Sequence, residues 1–206
     1  EERGDAFFVM DLAGKDSSIN NAVSQVSGLD SNYTAVYYPW VKVLDTAANK
    51  PVFVPPSVIV PGAIAASDRI GAEWFAPAGL NRGVLGNVIE AKIRLSQSER
   101  DVLYDNKINP IATFPATGVC IWGQKTLQER STALDRINVR RLLIAVKKFI
   151  ASSSRYLLFE QNTIETRDRF LGIVNPYLES VQQRQGLFAF RVQMDEANNT
   201  PDIIDR

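Results

Sequence analysis

The run Ala6-Phe7-Phe8-Val9-Met10-Asp11-Leu12 is apolar at almost every position, and within a few residues the pattern turns helical at Ile19, Val23 and Val26. A strand that is apolar on both faces has to be covered on both faces, and helices are the usual cover. The same alternation recurs. A second strand is predicted over 34–44, where Ala35, Tyr37 and Val41 mix with Val36, Tyr38 and Val43 on both faces, and Pro39 puts it at an edge or a bulge. After Val52-Phe53-Val54, Pro55-Pro56 fixes an extended entry to an apolar helix ending at Ile70. Pro61 and Gly62 are expected to delay its start to about residue 61, with Pro61 in the first turn. Strand, helix, strand, helix predicts an α/β protein with a mostly parallel sheet flanked by helices.

Trp74 to Gly83 holds too much proline and glycine for a regular element and reads as an ordered loop. Ser96-Gln97-Ser98-Glu99 is a capping box, which predicts a helix over 97–105, with Ser96 and Glu99 each satisfying a backbone N–H of the other's end. Asn109-Pro110 begins a new segment, so the division into halves is placed at residues 105–110, giving units 1–107 and 108–206. The second half, a smaller α/β domain, is expected to contain strands at 111–114 and 118–123 and a helix at 136–151. A strand at 156–159 follows, then a helix at 163–184 kinked by Pro176, a strand at 187–194, and a turn or tail at 198–202.

Histidine is absent from all 206 residues, which removes Ser-His-Asp and Cys-His nucleophiles and most zinc sites. The acidic residues are spread over loops and helix faces, which reads as solvated surface charge rather than a catalytic carboxylate pair. Val9 to Ser17 imitates a phosphate loop, but Val9 stands where the first glycine belongs and Asp16 interrupts Gly14-Lys15 before Ser17. Ser17 or Ser18 reads instead as the N-cap of a helix at 17–27. Lys+Arg and Asp+Glu are equal at 23 each, which gives no overall field for nucleic acid or anionic lipid. Cys120, the one cysteine, cannot form an intrachain disulfide. No apolar run approaches the ~20 residues of a membrane span, and Glu1-Glu2-Arg3-Gly4 does not begin a signal peptide. The residues therefore predict a soluble protein with no catalytic centre, no cofactor and no metal.

The predicted helix at 136–151 carries a second pattern. Val139, Leu142, Leu143, Val146, Phe149 and Ile150 share one broad side and are the predicted core. Ile137 and Ile144 form a narrower stripe, bordered by Arg136, Arg140 and Lys147 on one edge and by Arg141 and Lys148 on the other. An apolar stripe between basic ridges suits an acidic protein partner. An ordinary helix packed on both sides, with long basic stems lying over apolar surface, gives the same pattern.

Several landmarks occur in a fixed order: Pro55-Pro56 before an apolar helix, Trp74-Phe75-Ala76-Pro77-Ala78-Gly79 with Arg82-Gly83, and Ile108-Asn109-Pro110-Ile111. Gly118-Val119-Cys120-Ile121-Trp122-Gly123, Arg136 to Leu142, Phe159-Glu160-Gln161-Asn162 and Phe190-Arg191-Val192 complete the set. In this order they resemble the tail sheath proteins of contractile-tailed bacteriophages. The resemblance implies a subtilisin-like α/β domain without protease chemistry, followed by a smaller α/β domain. It implies a structural subunit, located in the phage tail of the virion and assembled in the host cytoplasm. Such subunits polymerise helically around a tail tube protein, bounded by baseplate and tail terminator proteins, and contract to drive the tube through the host envelope. It also gives weight to the partner-facing reading of Arg136, Ile137, Arg140, Arg141, Ile144, Lys147 and Lys148. Sheath proteins continue past an Asp-Ile-Ile-Asp-like segment, whereas here Ile203-Ile204-Asp205-Arg206 is last, so a monomeric core fragment lacking its terminal arms is expected. A monomeric adaptor and, further off, an α/β enzyme are the alternatives.

Overall fold

A computed structural model describes residues 4–195 and 197–200 of the chain. The strands are β1 (Phe8–Met10), β2 (Thr34–Tyr38), β3 (Val41–Asp45), β4 (Lys50–Val54), β5 (Val88–Ala91), β6 (Ile108–Phe114) and β7 (Gly118–Ile121). The helices are α1 (Ile19–Val26), α2 (Pro56–Ile70), α3 (Gln97–Asp105), α4 (Ile137–Ser154) and α5 (Ile164–Gln183). The chain folds as two compact units, residues 1–144 and 145–206, and the division falls inside α4.

In the first unit the larger sheet has the order β1-β2-β6-β7, and a second sheet has the order β4-β3-β5. The β1/β2 and β2/β6 pairs are parallel, but β6/β7 and both pairs of the second sheet are antiparallel. The fold is mixed α/β, and the mostly parallel sheet expected from sequence is corrected accordingly. Pro39 causes much of the difference. The predicted strand over 34–44 is two strands, β2 and β3, which separate at Pro39 and enter different sheets. Proline offers no N–H to a ladder, and the chain leaves the first sheet at this position.

β2 is buried on both faces, as its composition requires. Ala35 and Tyr37 join one core with Val60 and Ala63 of α2, Ile111, Ile121 and Ile137. Val36 and Tyr38 join another with Ala22 and Val26 of α1, Leu103 of α3, Ile108 and Leu127. Each fully buried valine, leucine or isoleucine among them contributes about 1.5–3 kcal/mol. Tyr38 keeps its polar end satisfied by donating to the Ser17 carbonyl at 2.6 Å.

The helix ends follow local chemistry. Ser18 caps α1 by accepting from the Asn21 N–H at 3.3 Å, which leaves the Gly14-Lys15-Asp16-Ser17 segment as a turn before the helix. Ser96 and Glu99 form the complete capping box of α3, whose bounds match the expected 97–105. α2 begins at Pro56 rather than near 61. Pro56 occupies the first helical position, where a missing N–H is harmless, and Pro55 has no side chain to cap with. The Asp11 carboxylate takes over that role from the end of β1, accepting from the Ser57 N–H at 2.9 Å and from its hydroxyl.

In the second unit, Phe149 stacks on Tyr177 at 3.8 Å between ring centroids, and Val174, Leu178 and Val181 of α5 are buried. Thr163 caps α5, which runs on through Pro176. Two expected strands are absent among the described residues. Residues 155–157 form a 3-10 turn and Phe159 has φ +74, so 156–159 is not extended. Residues 187–194 belong to no strand. A strand requires a partner to hydrogen-bond with, and neither segment has one here. Of the expected turn at 198–202, Asn198 and Asn199 donate to the Asp195 carbonyl, while residues 201 and 202, like 203–206, lie outside the described residues.

Candidate assembly surfaces

α4 starts where the Ile137 N–H donates to the Gln124 carbonyl at 2.9 Å, just after the 3-10 turn Ala133–Asp135. Its first two turns are packed, not free. Ile137 is fully buried in the core shared by α2 and β2, and Ile144 is 8% exposed. Arg140 is 4% exposed, with its guanidinium 4.1 Å over the Tyr33 ring. Arg141 pairs with Asp68 of α2 at 2.5 Å and donates to the Glu73 carbonyl at 3.1 Å. Arg136 pairs with Asp135 at 3.1 Å and donates to the Tyr104 hydroxyl at 2.6 Å. Lys147 and Lys148 are the exposed members of the predicted set. The stripe of Ile137 and Ile144 is therefore packing surface, and three of its arginines are occupied within the first unit. Sequence periodicity finds such a stripe but cannot say which neighbour covers it.

Three residues that sequence reasoning passed over hold the first unit together. Asn109, fully buried in β6, donates to the Val36 and Lys125 carbonyls at 3.0 and 2.8 Å and accepts from the Lys125 N–H at 2.6 Å. It ties β2, β6 and the segment before α4. Asp68 and Asp11 fix the two ends of α2. A polar residue inside the apolar Ile108-Asn109-Pro110-Ile111 run was the available signal for the first; the two aspartates gave none.

The Trp74 to Gly83 loop closes the outer edge of β7. Gly79 and Ile121 N–H groups donate to the Ile121 and Gly83 carbonyls at 2.9 and 2.8 Å, and the Leu85 N–H donates to Val119 at 2.9 Å. The backbone comes so close that a Cβ on Gly83 would lie 2.8 Å from the Ala78 Cα, the Gly79 nitrogen and the Ile121 oxygen. Arg82 steadies the loop, its guanidinium 4.8 Å over the Phe75 ring. β4 is guarded differently: it is an edge strand of the second sheet, and Pro51 removes a donor from it.

The second unit carries large apolar side chains in solvent. Tyr156 is 85% exposed, and Phe159 and Phe188 are fully exposed. Chemistry is sparse by comparison. Among the described residues no group of three or more Cys, Asp or Glu side chains is placed to hold a metal ion, and no helix is long and apolar enough to cross a membrane. Cys120 is buried in β7, and burial pushes its thiol up to about 11, away from the reactive thiolate.

Residues 1–127 match the family model of the phage tail sheath protein central domain, and residues 129–206 match that of the phage tail sheath C-terminal domain. The chain belongs to the phage tail sheath protein family. It is 36% identical over 186 residues to the tail sheath protein of Vibrio phage KVP40, covering 90% of this chain and 27% of that protein. The tail sheath protein of Enterobacteria phage T4 is 37% identical over 186 residues, with the same coverage of 90% and 27%. The chain thus spans about a quarter of the length of these curated relatives. Among solved structures, the PVC sheath complex of an extracellular contractile injection system in its contracted state aligns with a TM-score of 0.74 at 29% identity, covering 92% of this chain and 51% of that one. Within this sheath chain, the landmark residues Gly79, Arg82, Gly83 and Asn109 are the ones that close the β7 edge and clamp the sheet.

Proposed function

We propose that the chain is the core of a structural subunit of a contractile phage tail sheath. Copies polymerise around the tail tube in an extended state and rearrange to a shorter, wider one that drives the tube through the host envelope during genome delivery. The observation that carries this reading is 36–37% identity to tail sheath proteins over 90% of the chain. The role is structural, with no catalytic step and no cofactor. The subunit belongs to the tail of the virion and is assembled in the host cytoplasm, and its partners are itself, the tube protein, and the baseplate and terminator proteins. The first unit is read as a subtilisin-like domain stripped of protease chemistry, with β6 and β7 in its sheet, so the boundary expected at 107/108 is moved beyond residue 121.

Two features support an assembly role. The segments 156–159 and 187–194 have strand-forming composition, lie outside strands here, and expose Phe159 and Phe188. They suit pairing with strands from neighbouring subunits. Lys147 and Lys148 are exposed on α4 and suit an acidic partner such as the tube surface. Negative-stain electron microscopy of the complete gene product, with residues 1–206 as the control, tests the reading. Tubes from the complete product and monomers from residues 1–206 are expected; a complete product that forms no polymer, with or without tail tubes, would favour a discrete adaptor.

A further inference from the structure

Where the end of α2 meets the start of α4, four buried polar atoms have no hydrogen-bond partner among the described residues. They are the Tyr37 hydroxyl of β2, the Ser67 hydroxyl and Asp68 Oδ1 of α2, and Asn138 Oδ1 of α4. Tyr37 and Ser67 are 1% and 0% exposed. Buried polar atoms in native proteins are nearly always hydrogen-bonded, to protein or to ordered water.

Contacts around the four gather them at one place. Ser67 continues the buried stripe of Val60 and Ala63, which share a core with Tyr37 and Ile137. Asp68 comes next in the chain and holds Arg141 through Oδ2. Arg141 stands one turn after Asn138 on the same side of α4, and the Tyr37 hydroxyl feels its charge. Each of the four is also fixed in what it can do. Asn138 Nδ2 donates to the Trp74 carbonyl at 3.1 Å, so Oδ1 is the free end of that amide. Ser67 does not bond back to the carbonyl one turn earlier, the usual recourse of a serine inside a helix. Burial pushes the Tyr37 hydroxyl above its ordinary range, so it keeps its proton.

We propose that these four atoms are the ligands of one internal water molecule, which ties β2, α2 and α4 together beside the Arg141–Asp68 pair. The two hydroxyls can donate, whereas Asp68 Oδ1 and Asn138 Oδ1 can only accept. A water molecule accepts two hydrogen bonds and donates two, and a buried water typically makes about 2–4 of them. The set matches that complement on both sides. An ion does not fit it. The guanidinium held by Asp68 opposes a cation, and an anion would face two oxygens with no proton to offer it.

A high-resolution crystal structure of the 206-residue chain tests this. One solvent peak within about 2.6–3.2 Å of all four atoms is expected. Direct bonding of Tyr37 to Asp68 or Asn138, or the absence of such a peak, would overturn the proposal. Tyr37→Phe and Ser67→Ala give a second readout in solution, since each removes one donor without adding bulk. Two hydroxyls that share a water are coupled. The double variant is therefore expected to lose at least about threefold less of the folding equilibrium constant than the product of the two single losses. Losses that simply multiply would show that the hydroxyls act separately, and would overturn the shared water.

Discussion

Asn109 shows how one side chain can organise a sheet. Its amide reaches one carbonyl of β2 and both the N–H and the carbonyl of Lys125 while fully buried, so Asn109→Ala would take the side-chain partner from both backbone groups of Lys125 and one bond from the Val36 carbonyl. Each buried orphan costs about 1–3 kcal/mol, so a loss of about 3 kcal/mol or more is expected on urea denaturation. Cys120 should be silent to thiol reagents at pH 8 in the folded protein and react only on unfolding, because burial holds the thiol near 11. Labelling of the native protein at the rate of a free thiol would contradict the packing of β7. Arg140 marks the limit of what was legible at this scale. Its charge and spacing suggested a surface contact, yet it lies over Tyr33, which is 107 positions away in sequence (140 minus 33). A cation–π contact is set by the fold, not by the neighbours of the arginine in the chain.

Among the elements, those with local rules were legible and those with distant partners were not. α3 was found to the residue because Ser96 and Glu99 encode its start. Ser96→Ala is expected to cost about 1 kcal/mol in thermal or denaturant unfolding. Glu99 adds a pH dependence. The Ser96 N–H and hydroxyl hold its carboxyl below the usual glutamate range, so its contribution is present above that range and is lost as pH falls through the lowered value. Far-UV circular dichroism under acid titration should show an acid-side loss of stability that Glu99→Gln reduces; identical acid limbs for the two proteins would remove the capping box from the account. The strands behaved otherwise. β2 was legible from its two apolar faces, but its separation from β3, the antiparallel second sheet and β5 depend on pairing between segments far apart in sequence. The segments at 156–159 and 187–194 carry strand composition without a partner, and composition alone does not make a strand.

For the whole molecule, the two exposed lysines of α4 make a sharper test than the full set of seven residues predicted from the sequence. Lys147→Glu/Lys148→Glu alters exposed charges only, so Tm is expected to stay within a few degrees while assembly of the complete sheath on its tube is lost. Normal tails from that variant would show the two lysines to be plain surface. Reversing Arg141 would not test the same idea, since its loss would break the pair with Asp68 that joins α4 to α2. The guarded sheet edges matter most when copies are crowded. In a polymer, every subunit sits beside identical neighbours for the life of the particle, and each unprotected strand edge would be a chance to pair in the wrong place. Shutting β7 with its own loop and blunting β4 with Pro51 closes two of the edges at which the first unit could otherwise pair wrongly with a copy of itself.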